Sequence, residues 1–154
     1  PVSDDFHAQY SAKQKCYHYH IWTQRAISPF VRHYRHYAPY ELDLQAMREA
    51  AQLFCGKHDF ATFANVGGSS KTTVRTLNSI ELVEQEGGFR LEFRGEGFLY
   101  KMVRNITGTL LEIGRKKRTL ESIQELFAAK DRRAAGKAAP AKGLFLVSVD
   151  YRRA

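Results

Sequence analysis

The chain has 154 residues, 44% of them hydrophobic, and its 24 Lys and Arg against 16 Asp and Glu give a formal net charge of +8. The length fits one domain with a substantial core, and the positive charge favours a polyanionic partner, with nucleic acid as the first candidate. No run of about 18 apolar residues could span a membrane, and the first residues lack the order of a signal peptide, so we expect a cytoplasmic protein without a membrane partner. Cys16 and Cys55 predict two reduced thiols.

The first predicted element is a strand over residues 10–23, which is rich in aromatic and β-branched types and has no Gly or Pro. The two-residue period of a strand places Tyr17, Tyr19 and Ile21 on one face. The other face then carries Cys16, His18, His20 and Trp22. Residues 24–40 contain two prolines among basic and aromatic residues, and they predict an irregular segment of the kind that often carries function.

A helix is predicted over residues 44–54, with Asp43 as its N-terminal cap and Gly56 after its end. Residues 73–85 and 89–96 are rich in strand-forming types. The pair Gly87-Gly88 between these two segments is typical of a tight hairpin turn. We therefore expect the two strands to be antiparallel neighbours.

The helix predicted over residues 98–113 repeats apolar residues at the α-helical period, which gives it one buried side. The residues on that side are Leu99, Met102, Val103, Ile106, Leu110 and Ile113. Lys101, Arg104 and Asn105 fall outside it, and a solvated polar face is the ordinary explanation for such residues. The cations of residues 115–118 suit the carboxyl end of this helix. A helix over residues 119–129, a loop over 134–143 and a strand over 144–151 complete the chain.

The order of these elements is strand, helix, strand, strand, helix, strand. This βαββαβ order predicts an α+β fold, an antiparallel sheet with helices packed on one face, of the ferredoxin-like kind. The other face of the sheet would stay open. In RNA-recognition folds of this order, aromatic residues on the sheet stack on unpaired bases, so we expect a platform for RNA.

Two other kinds of site can be weighed from the sequence. The histidines that suggest a metal site are His18, His20, His33 and His36. No acidic or thiol spacing completes a zinc set, so we predict no metal. The run VGGSSKTT lacks the first glycine of a phosphate-binding P-loop. Two interpretations of this run stay open: a loop whose Lys71 and Arg75 contact a phosphate backbone, or a loop without function. No Ser or Cys has a recognisable activating neighbour, so the residues alone predict an RNA-binding platform without a catalytic group.

Several strings in order resemble the C-terminal half of the bacterial tRNA pseudouridine synthases of the TruA type. They are SDDFHAQYSA, KCYHYHI, LFCGKHDFATF, KTTVRTL, FLYKMVRNITG, LLEIG and AAKDRRAAGKAAPAKGLFLVSVDY. The resemblance covers nearly the whole chain, and it implies that residues 1–154 are one C-terminal domain of a longer enzyme. The start at Pro1 rather than Met agrees with a fragment.

The resemblance implies an activity and its partners. Family members isomerise uridine to pseudouridine at three adjacent positions of the tRNA anticodon stem-loop, without metal or organic cofactor, and form homodimers bridged by tRNA. Their catalytic aspartate lies in a Gly-Arg-Thr-Asp-type motif upstream of the matched segment. That motif does not occur in this sequence, so we expect the chain alone to be inactive. A non-catalytic RNA-binding module is the alternative, and a sheet face used for assembly is a third possibility.

The resemblance also assigns roles to individual residues. Tyr17 matches the tyrosine that stacks on the flipped base, and Lys15 and Tyr19 belong to the same strand motif. Arg104 matches the arginine that pairs with the catalytic aspartate. The expected RNA-contact residues are Lys15, Tyr19, Lys71, Arg75, Lys101 and Asn105. Gln9 departs from the family's usual arginine, so the resemblance assigns no phosphate contact to that position.

Overall fold

The structure is a computed structural model that describes residues 2–151. Its helices are α1 (Leu44–Leu53), α2 (Met102–Gly114) and α3 (Ser122–Ala129). Its strands are β1 (Gln14–Trp22), β2 (His36–Tyr37), β3 (Gly56–Asp59), β4 (Val74–Gln85), β5 (Gly88–Gly95) and β6 (Leu144–Asp150). Short 3₁₀ turns occur at Ala61–Phe63, Arg132–Ala134 and Ala141–Gly143. Within these residues, no helix is long and apolar enough to cross a membrane.

One sheet contains all six strands in the described part of the chain, and β1 is an interior strand that pairs with three others. On one side, β1 pairs antiparallel with β5, which continues to β4 and β3. On its other side, the first part of β1 pairs antiparallel with β6, and Ile21 and Trp22 pair in parallel with β2. The predicted α+β fold with a mainly antiparallel sheet is therefore confirmed, with one short parallel pair that the sequence did not predict.

The core lies between the helices and the face of the sheet that carries Tyr19 and Ile21. Apolar side chains of β5 and of all three helices complete it, because they share the face that turns away from solvent. The largest fully buried side chains include Tyr19, Phe54, Phe60, Phe63, Phe89 and Phe93. No helix among residues 2–151 covers the opposite face of the sheet, which carries Glu92 flanked by Arg90 and Arg94.

Several element boundaries differ from prediction. β1 begins at Gln14 instead of residue 10, because residues 3–11 form turns closed by local backbone hydrogen bonds. Gly56 begins a strand instead of ending a helix. The hairpin turn is formed by residues 86–87, one position earlier than predicted. There Gly87 has φ +76°, and a Cβ atom would lie 2.1 Å from the Trp22 ring, so only glycine fits the turn.

Helix α2 is buried on nearly every side, whereas the periodicity predicted a single buried side. Its N-terminus also lies later than predicted, because Lys101 has a left-handed backbone with φ 60° before the first helical residue. Residues 131–143, which we call the covering segment, lie across the side predicted to be solvated. A Cβ atom on Gly108 would lie only 1.8 Å from the Lys137 carbonyl oxygen. The helix therefore needs a glycine at the point where this backbone crosses it.

Candidate active site and RNA-contact surface

Arg104 lies in the first turns of α2, where the covering segment contacts both its backbone and its side chain. Its Nε donates to the Ala139 carbonyl oxygen at 2.7 Å, and its own carbonyl oxygen accepts from the Ala139 amide at 3.0 Å. No acidic side chain among residues 2–151 pairs with Arg104. The geometry thus fixes one edge of the guanidinium and leaves its terminal amino groups able to bind a carboxylate in a bidentate manner.

Tyr19 lies beside Arg104, inside the core. Its side chain is fully buried, and its hydroxyl donates to the Pro140 carbonyl oxygen at 2.6 Å. Burial raises the pKa of this phenol, while the positive charge of Arg104 partly opposes the rise. The hydroxyl is therefore protonated at neutral pH. A side chain in this position presents no surface to an RNA in this structure.

Tyr17 lies on the same face of β1 as Tyr19, two residues nearer the start of the strand. It is half-buried, and its ring meets the ring of Phe98 edge-on, with 4.9 Å between centroids and 76° between planes. Burial raises the pKa of its hydroxyl, so the ring is neutral at physiological pH. An aromatic side chain that is held by a neighbouring ring and is partly open to solvent is suited to stacking against a base.

Lys101 and the segment before β4 lie together at the N-terminal end of α2. The Asn65 amide donates to the Tyr100 carbonyl oxygen at 3.1 Å, which ties this segment to the residue before Lys101. The Lys101 ammonium lies 5.2 Å from the centroid of the Tyr100 ring. Lys71 is exposed in the same segment. A cation and a half-exposed aromatic ring thus adjoin a loop that carries a second cation.

The other predicted RNA-contact residues differ in exposure. Lys15 is half-buried on β1, opposite Gly95 and Val149. Arg75 donates from one terminal nitrogen to the Thr72 and Val74 carbonyl oxygens, and desolvation lowers its pKa. Its guanidinium therefore shapes the loop before β4.

Asn105 is fully buried, unlike the polar surface residue that the helical period predicts. Its amide nitrogen donates to the Phe63 carbonyl oxygen at 2.6 Å and to Asn65 Oδ1 at 2.9 Å. These bonds connect α2 to residues 63–65. In this structure Asn105 links two segments of the chain by hydrogen bonds and has no exposed surface.

The open face of the sheet carries an ionic cluster around Glu92. The Glu92 carboxylate lies 2.7 Å from Arg90, 3.5 Å from Arg94 and 3.6 Å from the His18 ring nitrogen. Burial opposes its ionisation, but the hydrogen bond from Arg90 and the surrounding positive charges outweigh burial and lower the pKa of Glu92. Tyr17 and Tyr19 lie on the opposite, helix-covered face. The expectation of an aromatic platform on the open face is therefore wrong for the two tyrosines of this strand.

The histidines predicted not to bind metal are dispersed. His18 and His20 have ring centroids 6.0 Å apart on the open face, and burial lowers the pKa of each. His36 instead lies near Tyr19 on the other face. Within residues 2–151, no group of three or more His, Cys, Asp or Glu side chains is placed to hold a metal ion.

Two contributors to this site were missed from the sequence. Phe98 was assigned only to a helix, and Ala139 only to a loop of small residues. Ala139 acts through its backbone, which every residue carries, so its side chain gave no signal. Phe98 precedes α2 and packs on Tyr17, which no helical or strand period could indicate.

Comparison with known proteins shows the family of the chain. A family model described as tRNA pseudouridine synthase matches residues 50–152. A tRNA pseudouridine synthase A 1 of Protochlamydia amoebophila is 49% identical over 154 residues, covering 98% of this chain and 60% of the relative. The Geobacillus kaustophilus tRNA pseudouridine synthase A is 50% identical over 149 residues, covering 96% of this chain and 57% of the relative. The chain belongs to the tRNA pseudouridine synthase family, and it spans about 60% of the length of these curated relatives.

Proposed function

We propose that the chain is the C-terminal domain of an enzyme that isomerises uridine to pseudouridine in the tRNA anticodon stem-loop, at three adjacent positions. Family membership and the names of the relatives support this activity. The observation that carries it is the fixed guanidinium of Arg104, whose terminal amino groups are unpaired among the described residues, on the same side of the sheet as Tyr17. This arrangement suits the orientation of a carboxylate beside a stacked base.

In the proposed reaction, the C1′–N1 bond of the target uridine breaks and a C1′–C5 bond forms. The proton on C5 is lost and N1 gains one, so the reaction needs no reductant or oxidant. An aspartate from the part of the enzyme outside these 154 residues would start the reaction. Arg104 would keep that carboxylate ionised and oriented, through a charge-assisted contact of about 1.5–3 kcal/mol. The ring of Tyr17 would support one face of the uracil after the base leaves the stack.

The RNA-contact surface in this proposal comprises Lys15, Lys71 and Lys101, beside the half-exposed ring of Tyr100. Lysines at such positions bind phosphates without reading sequence, so they would set the affinity and the register of the tRNA. Following the resemblance, we also propose that the enzyme is a cytoplasmic homodimer and that a bound tRNA bridges both subunits. Sedimentation of the enzyme with and without tRNA tests the dimer.

Release of tritium from tRNA that contains uridine labelled at C5 tests the reaction. The enzyme that includes these 154 residues should release it, and Arg104→Gln and Tyr17→Ala should each lower turnover by at least about a hundredfold with tRNA affinity changed only a few-fold. Arg48→Gln is the matched control. Arg48 is a surface arginine that forms an ion pair with Glu84, and neither residue is a predicted site residue. Near-normal turnover in Arg104→Gln would refute the role of Arg104.

Assays of the 154-residue chain alone distinguish the proposed enzyme from the alternatives. We expect the 154 residues alone to bind tRNA and to release no tritium. Release by the chain alone would show that its own residues include the nucleophile. If the longer protein binds tRNA but never releases tritium, the non-catalytic RNA-binding module replaces the present proposal.

A further inference from the structure

The covering segment follows α2 backwards, from its middle to its N-terminal end. The Gly136 amide donates to Thr109 Oγ1 at 3.1 Å, the Lys137 carbonyl packs on Gly108, and Ala139 contacts Arg104. The next residue, Pro140, leaves the helix and contacts the sheet. Arg104 is therefore bound by a backbone segment whose far end is attached to β1.

Pro140 can be attached at this point only through its carbonyl group, because proline has no amide hydrogen to donate. The hydrogen bond from the Tyr19 hydroxyl to that carbonyl oxygen, at 2.6 Å, supplies the attachment. The neighbouring carbonyl, that of Ala139, is the acceptor for Arg104 Nε. Two consecutive carbonyl groups thus connect a buried tyrosine to the arginine of the candidate active site.

Tyr19 is well placed to act as a rigid anchor. It is fully buried on β1, an interior strand, where it pairs with Leu91 of β5 on one side and Leu144 of β6 on the other. A hydroxyl on such a residue has little freedom to move. The direction that it imposes on Pro140 will therefore be transmitted to the Ala139 carbonyl.

We propose that Tyr19 is a positioning residue, whose hydroxyl sets the direction of the Arg104 guanidinium through the carbonyl groups of Pro140 and Ala139. The inference rests on the proposed role of Arg104. It differs from the RNA contact that the sequence predicted for Tyr19, and the two roles have different kinetic consequences. Loss of an RNA contact raises KM, whereas misdirection of Arg104 lowers kcat and leaves KM unchanged.

The first test observes Arg104 in the 154-residue chain and requires no activity. In chain labelled with ¹⁵N-arginine, the Nε–H signal of Arg104 can be assigned by its loss in Arg104→Lys. Tyr19→Phe keeps the buried ring and removes only the hydroxyl, so we expect the Arg104 Nε–H to exchange with solvent about tenfold faster. Tyr37→Phe is the matched control, because it removes a tyrosine hydroxyl that donates to the Arg25 carbonyl, and it should leave this rate unchanged. An unchanged rate in Tyr19→Phe overturns the proposal.

The second test measures turnover in the longer enzyme. Tyr19→Phe should lower kcat by at least about tenfold with KM for tRNA within twofold, since small misplacements of a catalytic constellation cost rate rather than affinity. Tyr37→Phe should match the wild type in both. A raised KM with unchanged kcat would favour the RNA-contact role and overturn the positioning role. Absence of turnover in the wild-type enzyme would contradict the proposed function, and the exchange measurement would still decide whether Tyr19 positions Arg104.

Discussion

Glu92 shows how one buried carboxylate can connect folding to pH. Its pKa is lowered in the folded protein from an ordinary value of 4.5, so its contribution to the free energy of unfolding is complete above that value and is lost as the pH falls through the lowered pKa. The pKa of the neighbouring His18 is lowered by burial from 6.5, so protonation of His18 favours the unfolded chain. Both groups therefore make the protein less stable in acid, His18 from about pH 6.5 downward and Glu92 below about pH 4.5.

We predict that Glu92→Gln lowers the free energy of unfolding by about 2 kcal/mol at pH 7, because Arg90 loses a charged acceptor in a half-buried site. At pH 3 the difference from the wild type should shrink, since acid weakens the same interaction in the wild-type protein. Urea unfolding of the 154-residue chain, followed by circular dichroism, measures both values. Glu81→Gln is the control: Glu81 faces Glu92 across the β4–β5 pair, is exposed, and should be neutral or stabilising when its charge is removed. Equal losses at the two pH values would contradict the assignment.

Among single residues, those with local signals were predicted well. Asp43 caps α1 as expected, with its side chain accepting from the Ala46 amide at 2.9 Å, because a cap depends only on residues within one turn. Asn105 was placed on a polar surface and is fully buried. Its partners lie some forty positions away, and no local rule indicates them. The assigned roles of Tyr17 and Arg104 remain predictions.

At the scale of elements, α2 and the covering segment behave as one unit. Their contact depends on Gly108, where the Lys137 carbonyl oxygen occupies the space of a side chain. In an isolated helix, replacing glycine by alanine stabilises by about 1 kcal/mol. Here the added methyl group must displace backbone, so the usual sign should reverse.

We predict that Gly108→Ala destabilises the chain by about 3 kcal/mol, because overpacking against backbone cannot be relieved by a rotamer change. Thermal or urea unfolding measures the loss. Gly97→Ala is the matched control: the nearest atoms to its Cβ position, on Arg75, lie at an ordinary 3.5 Å, so the same change should cost little. A neutral or stabilising Gly108→Ala would show that the covering segment can leave the helix at little cost.

The elements whose apolar residues repeat at a clear helical or strand period were predicted, and the elements without such a period were missed. The apolar stripes of α1 and α2 and the hairpin of β4 and β5 follow from residue order alone. β2 and β3 contain only two and four residues, and they exist because a neighbouring strand pairs with them. The covering segment consists largely of small residues that contact α2 through backbone atoms. Its position could not be read from side-chain chemistry, and so the full burial of α2 could not be predicted.

At the scale of the whole molecule, the net charge of +8 should dominate the first encounter with tRNA. Each phosphate contact releases counterions, so the logarithm of the binding constant falls with the logarithm of the salt concentration, by about 0.7–0.9 per contact. The slope thus counts phosphate contacts. It can be measured on the chain without any turnover.

We predict that the affinity of the chain for tRNA falls steeply between about 50 and 200 mM salt, and that Lys71→Ala reduces the slope by about one contact. Lys116→Ala is the control, since Lys116 is also exposed but follows the C-terminal end of α2, away from the proposed RNA-contact surface at its N-terminal end. Fluorescence anisotropy of labelled tRNA gives both slopes. If the affinity for tRNA does not change with salt concentration, the result would instead favour the possibility that the basic surface serves assembly.

Trp22 is the single tryptophan of the sequence, and its surroundings make it an optical probe of one corner of the molecule. Its ring lies over Gly87 at the hairpin turn, its Nε1 donates to the Ala26 carbonyl oxygen at 2.8 Å, and Arg35 lies 5.3 Å from the ring centroid. Intrinsic emission will therefore report when the end of the β4–β5 hairpin opens. It will be blind to a covering segment that has left α2 while the sheet stays intact. Amide exchange at Ala139, whose N–H donates to the Arg104 carbonyl oxygen, will detect this second transition, which emission misses.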